Sequence, residues 1–179
     1  MKIEIVPYRP HWPDDFSRHA QPLRAALGPL ALRIDHVGST AIPGADAKPI
    51  IDIQISVAAF EPFAPIRLPI QSLGYVWRAD NPDLTKRYFR EAPGTPRVHI
   101  HVRRAGSWSE QFALLFRDYM RQHPDDVALY ATLKYQLARQ HGDNREAYTE
   151  AKGPLIWQIM VRANAWSQQT GWHPGPPDL

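Results

Sequence analysis

A strict alternation of polar and apolar residues over residues 97–103 constrains the fold of this chain more than any other feature. The segment reads Arg-Val-His-Ile-His-Val-Arg. Successive side chains of a β-strand point to opposite faces of a sheet, so Val98, Ile100 and Val102 are expected to face a hydrophobic core. The other face then carries two arginines and two histidines, Arg97, His99, His101 and Arg103. The pattern predicts a strand with one buried face and one polar face.

A second predicted strand, over residues 50–57, shows the same alternation. Asp52, Gln54 and Ser56 share one face, and the β-branched residues between them face the core. An aspartate flanked by isoleucines is costly to bury unless it is paired or binds a ligand. If the two strands are neighbours, about 4.8 Å apart, Asp52 approaches an imidazole directly. A carboxylate–imidazole group is typical of metal sites and acid–base catalysis, although a polar strand face also occurs simply as a solvated surface.

A Gly38-Ser39 dipeptide follows a short apolar segment and precedes the Asp52 strand. Twelve residues separate Ser39 from Asp52. Backbone amides exposed at such a turn can bind phosphate, and a small hydroxyl can add a hydrogen bond. An ordinary turn has the same sequence, so the prediction of a phosphate site depends on the aspartate that follows.

The positive charge of the chain is concentrated in one segment. The net charge is +3, whereas residues 78–104 contain seven Lys or Arg and three Asp or Glu, a local +4. This distribution indicates a local anion site and argues against a nucleic-acid partner, which requires an extended basic face. Candidate phosphate ligands are Arg87 and Arg97 in this segment and Lys48 before the Asp52 strand. Solvated surface positions are the alternative for all three.

Length and composition limit the classes of protein further. The chain has 179 residues and no cysteine, which excludes disulfides, thiolate zinc sites and cysteine nucleophiles. No apolar stretch approaches the roughly 18 residues of a membrane-spanning helix, so we expect no membrane partner and a cytoplasmic location. We predict one α+β domain over residues 1–170, with a mixed or antiparallel sheet and a C-terminal helical part packed against it. The β-rich part covers about 30–104, the helical part about 107–168, and 171–179 form a flexible tail.

A helical spacing of apolar residues begins after the predicted strand at residues 97–103. Ser107 and Glu110 form a predicted capping box, in which each side chain bonds the backbone amide of the other residue. A second helix is expected to begin at Pro124 and end at Gly142, with Leu129, Leu133 and Leu137 as its apolar stripe. A third helix runs toward Trp166, and Gly153-Pro154 should kink it because proline removes one helical hydrogen bond.

Two sequence blocks resemble the GrpB family of the nucleotidyltransferase superfamily. Residues 36–44 read His-Val-Gly-Ser-Thr-Ala-Ile-Pro-Gly, and residues 48–53 read Lys-Pro-Ile-Ile-Asp-Ile. Matching features extend over roughly residues 5–165, and some members of the family are fused to dephospho-coenzyme A kinase. The resemblance implies a nucleotidyltransferase fold, a nucleotide and a small-molecule acceptor as partners, and phosphate binding by Gly38, Ser39 and Thr40. It also implies a divalent cation, magnesium, manganese or zinc, at the catalytic Asp52.

The chain departs from the superfamily pattern at the metal ligands. Active nucleotidyltransferases carry a second acidic residue two positions after the first, where this chain has Gln54. If the histidine strand is the neighbour that supplies the third carboxylate, His99 or His101 replaces it. Imidazole suits zinc, manganese or iron better than magnesium. Three functions stay open: nucleotidyl or phosphoryl transfer, nucleotide or metabolite binding without turnover, and metal-dependent hydrolysis of a phosphoester.

Overall fold

The computed structural model describes residues 2–179. Its strands form one mixed β-sheet. Its strands are β1 (Arg33–Val37), β2 (Ile51–Val57), β3 (Val76–Trp77), β4 (Lys86–Arg90) and β5 (Val98–Arg104). They lie in the order β1-β2-β5-β4-β3, with β2 and β5 parallel and the other pairs antiparallel. The mixed α+β architecture predicted from the sequence is confirmed. The two strands with polar faces are direct neighbours at the centre of the sheet.

Six α-helices surround the sheet in the described residues. They are α1 (Trp12–Leu27), α2 (Ala64–Ser72), α3 (Trp108–Gln122), α4 (Pro124–His141), α5 (Arg145–Ala151) and α6 (Gly153–Thr170). Helices α1 and α2 pack on the apolar face, where Leu23, Ile53, Ile70 and Ile100 are fully buried in one core. No helix within residues 2–179 combines the length and the apolar character needed to cross a lipid bilayer.

Helix α3 covers the far end of the polar face. Ser107 caps this helix by accepting a hydrogen bond from the backbone amide of Glu110, at 3.4 Å. The Glu110 carboxylate differs from the predicted capping box, because it accepts from the amide of Gly106 at 2.6 Å and from the Ser56 hydroxyl of β2. This link between helix and sheet covers the polar face at Ser56, which is fully buried.

The C-terminal helical part follows the sequence prediction in part. The expected interruption of the third helix falls at Lys152, between α5, which ends at Ala151, and α6, which begins at Gly153, and Lys152 keeps right-handed helical backbone angles. Of the leucine stripe predicted for α4, Leu137 is buried and Leu133 packs against a small core, whereas Leu129 is 49% exposed. Tyr130 and Lys134 are also buried. The packed face of α4 therefore includes a lysine.

Residues 171–179 form neither helix nor strand, but they are anchored at the edge of the sheet. The Asp178 carboxylate accepts hydrogen bonds from the backbone amide of His36 and from Arg117, both at 2.9 Å. The amide of Leu179 donates to the carbonyl of Ile34 at 3.1 Å. These contacts differ from the expectation of a flexible tail, because the tail pairs with the open edge of β1 and neutralises a buried arginine.

Candidate active site

Asp52 and two histidines converge at one point on the polar face. In the parallel register of β2 and β5, Asp52 pairs with His99 and Gln54 pairs with His101. The Oδ1 atom of Asp52 accepts a hydrogen bond from Nε2 of His101 at 3.1 Å and lies 3.4 Å from Nδ1 of His99. One ligand atom from each residue lies within 4.8 Å of the other two, a spacing that would let all three bind one metal ion.

The surroundings set the charges of these groups. Burial alone would raise the pKa of Asp52, but the hydrogen bonds from His101 and His99 outweigh burial and hold that pKa well below its usual range. Burial lowers the pKa of His101. At neutral pH the centre therefore presents an anionic carboxylate and a neutral imidazole, the protonation states that metal binding requires.

Gly38 holds a tight turn directly against the Asp52 carboxylate. Its φ angle is +71°, and a Cβ atom placed on it would lie 2.7 Å from Oδ2 of Asp52. Any side chain at this position would therefore collide with the Asp52 carboxylate. The glycine brings the Ser39 end of the turn, and the backbone of the turn itself, close to Asp52.

Thr40 and His36 fasten this turn from behind. The Thr40 hydroxyl donates to the carbonyl of Ile50 at 3.2 Å, and its oxygen lies 3.0 Å from Nε2 of His36. Burial lowers the pKa of His36 to about 4, so this imidazole is neutral at physiological pH. Thr40 borders the site as predicted, but its hydroxyl is engaged with the protein and positions the turn.

Three lysines, Lys48, Lys134 and Lys152, line the same cavity as Asp52 and the Gly38 turn. Nζ of Lys134 donates to Oγ of Ser39 at 3.2 Å and also to the carbonyl of Asp46. Lys48 and Lys152 flank the Tyr148 ring, with Nζ at 5.0 Å and 4.8 Å from its centre. Burial lowers the pKa of Lys134 to about 7 and that of Lys152 to about 8. In their protonated forms these amines would bind an anion strongly, because few water molecules compete with it.

Lys134 is absent from the site residues predicted from the sequence. Its position could have been found, since Tyr130, Lys134 and Leu137 are spaced i, i+4 and i+7 on α4, and a lysine on a packed helix face is costly unless it has a partner or a ligand. The predicted stripe of leucines shares Leu137 with this face, but it placed Leu129 in the core, where the structure leaves it exposed.

The structure gathers most of the predicted residues around one cavity of about 360 Å³. This volume lies within the range of about 300–1,000 Å³ that is typical of small-molecule sites. Of the residues proposed from the sequence, the cavity brings together Gly38, Ser39, Thr40, Lys48, Asp52, His99 and His101. Further lining residues include Tyr130, Lys134, Tyr148 and Lys152.

The two predicted arginines lie outside this lining. Arg87 pairs with Val102 in the antiparallel ladder of β4 and β5, so its side chain projects from the face opposite to the histidines. There it packs over the Phe60 ring, 4.4 Å from its centre. Arg97 lies at the border of the cavity, with Nη2 3.4 Å from Nε2 of His99.

The Gln54 side chain is turned away from Asp52, His99 and His101. Its side chain is fully buried, and its Nε2 atom donates to the backbone carbonyl of Glu110 at 3.3 Å. The centre thus offers one carboxylate and two imidazoles. This donor set does not fit a pair of magnesium ions, which require several oxygen ligands, but it suits one zinc, manganese or iron ion.

Sequence comparisons relate the chain to bacterial proteins. It matches the family described as GrpB protein over residues 2–162. It is 40% identical over 170 residues to a UPF0157 protein of Pseudomonas aeruginosa, covering 92% of this chain and 69% of that protein. It is also 33% identical over 198 residues to a dephospho-CoA kinase of Mycolicibacterium paratuberculosis, covering 96% of this chain. The chain spans only 48% of that kinase.

Solved structures share the fold. A GrpB protein from Enterococcus faecalis superposes with a TM-score of 0.82 at 31% identity, covering 91% of this chain and 99% of that one. Cid1 in complex with its short product ApU superposes with a TM-score of 0.52 at 10% identity, covering 75% of this chain and 43% of Cid1. At this low identity the second similarity concerns the fold alone, which is of the nucleotidyltransferase type.

Proposed function

The chain belongs to the GrpB family, and on that premise we propose that it binds a nucleoside triphosphate and a divalent metal ion and transfers a nucleotidyl or phosphoryl group to a small acceptor. One observation carries the proposal. The Asp52–histidine group, the Gly38 turn and three lysines face the same cavity of about 360 Å³. A metal-binding group beside a concentration of cations is the arrangement that phosphoryl chemistry requires.

The cationic side of the cavity would hold the nucleotide phosphates. In this proposal Ser39 and the backbone of the turn bind one phosphate. Lys134 contacts the same phosphate, because its Nζ atom lies 3.2 Å from Oγ of Ser39. Lys48 and Lys152 neutralise further phosphate charge. In nucleotidyl transfer, an acceptor oxygen bonds to the α-phosphorus while the bond to pyrophosphate breaks, so the lysines would also stabilise the leaving group.

Asp52, His99 and His101 would hold the metal ion. The bound cation would supply positive charge that polarises a phosphoryl oxygen. The protein contributes a carboxylate kept anionic by its histidine hydrogen bonds. Its other contribution is the glycine turn, which keeps this carboxylate accessible.

Two alternatives rest on specific features of the same site. The buried Gln54 leaves the centre with a single carboxylate, which favours nucleotide or metabolite binding without turnover. A mixed aspartate–histidine ligand set also occurs in metal-dependent hydrolases, which favours hydrolysis of a small phosphoester. Both alternatives use the same cavity and the same metal ligands.

A thermal-shift screen of nucleoside triphosphates against magnesium, manganese and zinc tests the proposal, with mass spectrometry of the products. We expect a metal-dependent rise in melting temperature for wild-type protein and for Asp143→Asn, an exposed control. Asp52→Asn should stay folded and lose both the metal-dependent rise and turnover.

The products distinguish the three functions. A nucleotidylated or phosphorylated acceptor supports transfer, and cleavage without an acceptor identifies a hydrolase. Stabilisation with no product identifies a binding protein. If no nucleotide and metal combination stabilises the folded protein, the proposed nucleotidyl or phosphoryl transfer fails.

A further inference from the structure

A second, smaller cavity borders the candidate active site and is lined mainly by cations. Its volume is about 120 Å³, well below the roughly 300 Å³ at which sites for whole small molecules begin. It therefore has room for a single functional group of a larger molecule. Its charged lining residues are Lys2, Glu4, Lys48, Arg97 and Arg145.

The two cavities are formed by the same structural elements. Lys48 borders both of them. Arg97 precedes β5, and its Nη2 atom lies 3.4 Å from Nε2 of His99 in the main cavity. Arg145 begins α5, one turn before Tyr148. A molecule bound in the small cavity would therefore lie next to the main cavity, which Asp52 lines.

The cations of the small cavity are incompletely neutralised. Arg97 lies 3.6 Å from Glu91, but Arg90 uses the same carboxylate oxygen at 2.8 Å. Within residues 2–179, neither Lys48 nor Arg145 takes part in an ion pair. Glu4 is the only carboxylate in the part of the lining that the structure describes.

The like charges are also close enough to oppose one another. Burial lowers the pKa of Lys48, and the charges of Arg97 and Arg145 lower it further against the opposing effect of Asp52. A bound anion would relieve this repulsion. Arginine is suited to that task because its planar guanidinium can donate two parallel hydrogen bonds to a phosphate.

We propose that the acceptor in the transfer reaction is a small phosphomonoester whose phosphate binds between Arg97 and Arg145 in this second cavity. Its reacting hydroxyl would then extend past Lys48 into the main cavity. This inference rests on the proposed function and adds the chemical class of the acceptor. It assigns Arg97 to the acceptor, not to the nucleotide.

Calorimetric titration of the full chain, saturated with manganese and a non-hydrolysable ATP analogue, tests the inference. The probes are glycerol 3-phosphate and ribose 5-phosphate, compared with glycerol and ribose. The variants are Arg97→Gln, Arg145→Gln and the matched control Arg104→Gln, which changes an exposed arginine at the opposite end of β5.

We expect at least one phosphorylated probe to bind at least about tenfold more tightly than its unphosphorylated partner, because its phosphate gains charge-assisted hydrogen bonds. Arg97→Gln and Arg145→Gln should each weaken that binding by about tenfold for the same reason. Arg104→Gln should leave it unchanged. Arg145→Gln and Arg104→Gln should keep the thermal shift caused by the ATP analogue, which shows that they are folded and that the main cavity is intact.

The inference is overturned if neither phosphorylated probe is preferred, or if the two cavity variants bind as tightly as the control. In either case, an undiminished rise in melting temperature with the ATP analogue would still support the proposed function. Loss of that shift in wild-type protein would count against the proposed function itself and would remove the basis of the inference.

Discussion

The backbone of Gly38 approaches the carboxylate of Asp52 so closely that a Cβ atom on the glycine would lie 2.7 Å from Oδ2. The two residues are far apart along the chain, yet each restricts the other. Asp52 leaves no space for a side chain on the turn, and the turn determines how a ligand can approach Asp52. This contact joins the proposed metal ligand Asp52 to the turn proposed to bind phosphate.

Replacing Gly38 with alanine should damage both stability and metal binding. The φ angle of +71° strains any other residue, at a cost of about 1–3 kcal/mol in the free energy of unfolding. The added methyl group should also displace the Asp52 carboxylate. Urea denaturation and calorimetric titration with manganese or zinc measure the two effects.

Gly94→Ala is the matched control for this substitution. Gly94 has a φ angle of +84° and no neighbouring atom within 4 Å of an added Cβ. It should show only the conformational cost and keep wild-type metal affinity. Equal metal affinities for the two variants would contradict the role assigned to Gly38.

Binding of ATP at about pH 8.5 should be accompanied by proton uptake, since an anion raises the pKa of a neighbouring amine. In the free protein the pKa of Lys134 is about 7 and that of Lys152 about 8, so both amines are largely neutral above those values. Bound phosphates should restore their charge. Affinity for ATP is therefore expected to fall as the pH rises through this range.

Calorimetry in two buffers of different ionisation enthalpy counts the protons taken up. Lys134→Arg and Lys152→Arg should each reduce the number, because arginine stays protonated in both states. Lys86→Arg, outside the main cavity, should leave it unchanged. Proton release, or equal uptake in all variants, would show that these lysines do not contact the nucleotide.

Introducing the missing second carboxylate as Gln54→Glu should destabilise the protein without creating a magnesium site. Residue 54 is fully buried, and its side-chain amide donates to the Glu110 carbonyl, which an ionised glutamate could not do. A buried unpaired carboxylate costs about 3 kcal/mol. Gln54→Met removes the hydrogen bond without adding a charge, so it should cost less. Urea denaturation and magnesium titration test both expectations, and tight magnesium binding by Gln54→Glu would disprove this account of the site.

Asp178→Asn should weaken the attachment of residues 171–179 to the sheet. The carboxylate lies 2.9 Å from Arg117, whose exposed fraction is only 3%. Loss of this charge should lower the free energy of unfolding by about 1–2 kcal/mol. The exposed control Asp125→Asn should have a smaller effect in the same denaturation experiment. If Asp178→Asn has the same free energy of unfolding as the wild-type protein, the attachment of the tail through Asp178 contributes nothing to the stability of the fold.

The sequence was sufficient to identify the central strands and the residues on their polar faces. Alternation depends only on the local geometry of a strand, in which every second side chain points the same way. Asp52, His99 and His101 could therefore be assigned to polar faces without knowledge of the sheet. Departure from the superfamily pattern at Gln54 was also visible directly in the sequence.

Helical periodicity was a weaker guide, because α4 contains two regular stripes. One consists of Leu129, Leu133 and Leu137, and the other, which shares Leu137, includes Tyr130 and Lys134. Spacing alone cannot choose between them, since the choice depends on which surface α4 packs against. The structure buries the stripe with the lysine and so adds Lys134 to the candidate site.

The sequence by itself determined which side chains share a face, because that property is set within a few residues of backbone. Only the tertiary structure decided which faces meet. The parallel register of β2 and β5 placed Asp52 beside both histidines, and the ladder with β4 turned Arg87 to the opposite face. These relations connect residues distant along the chain, and they are fixed by the packing of whole elements, not by local spacing.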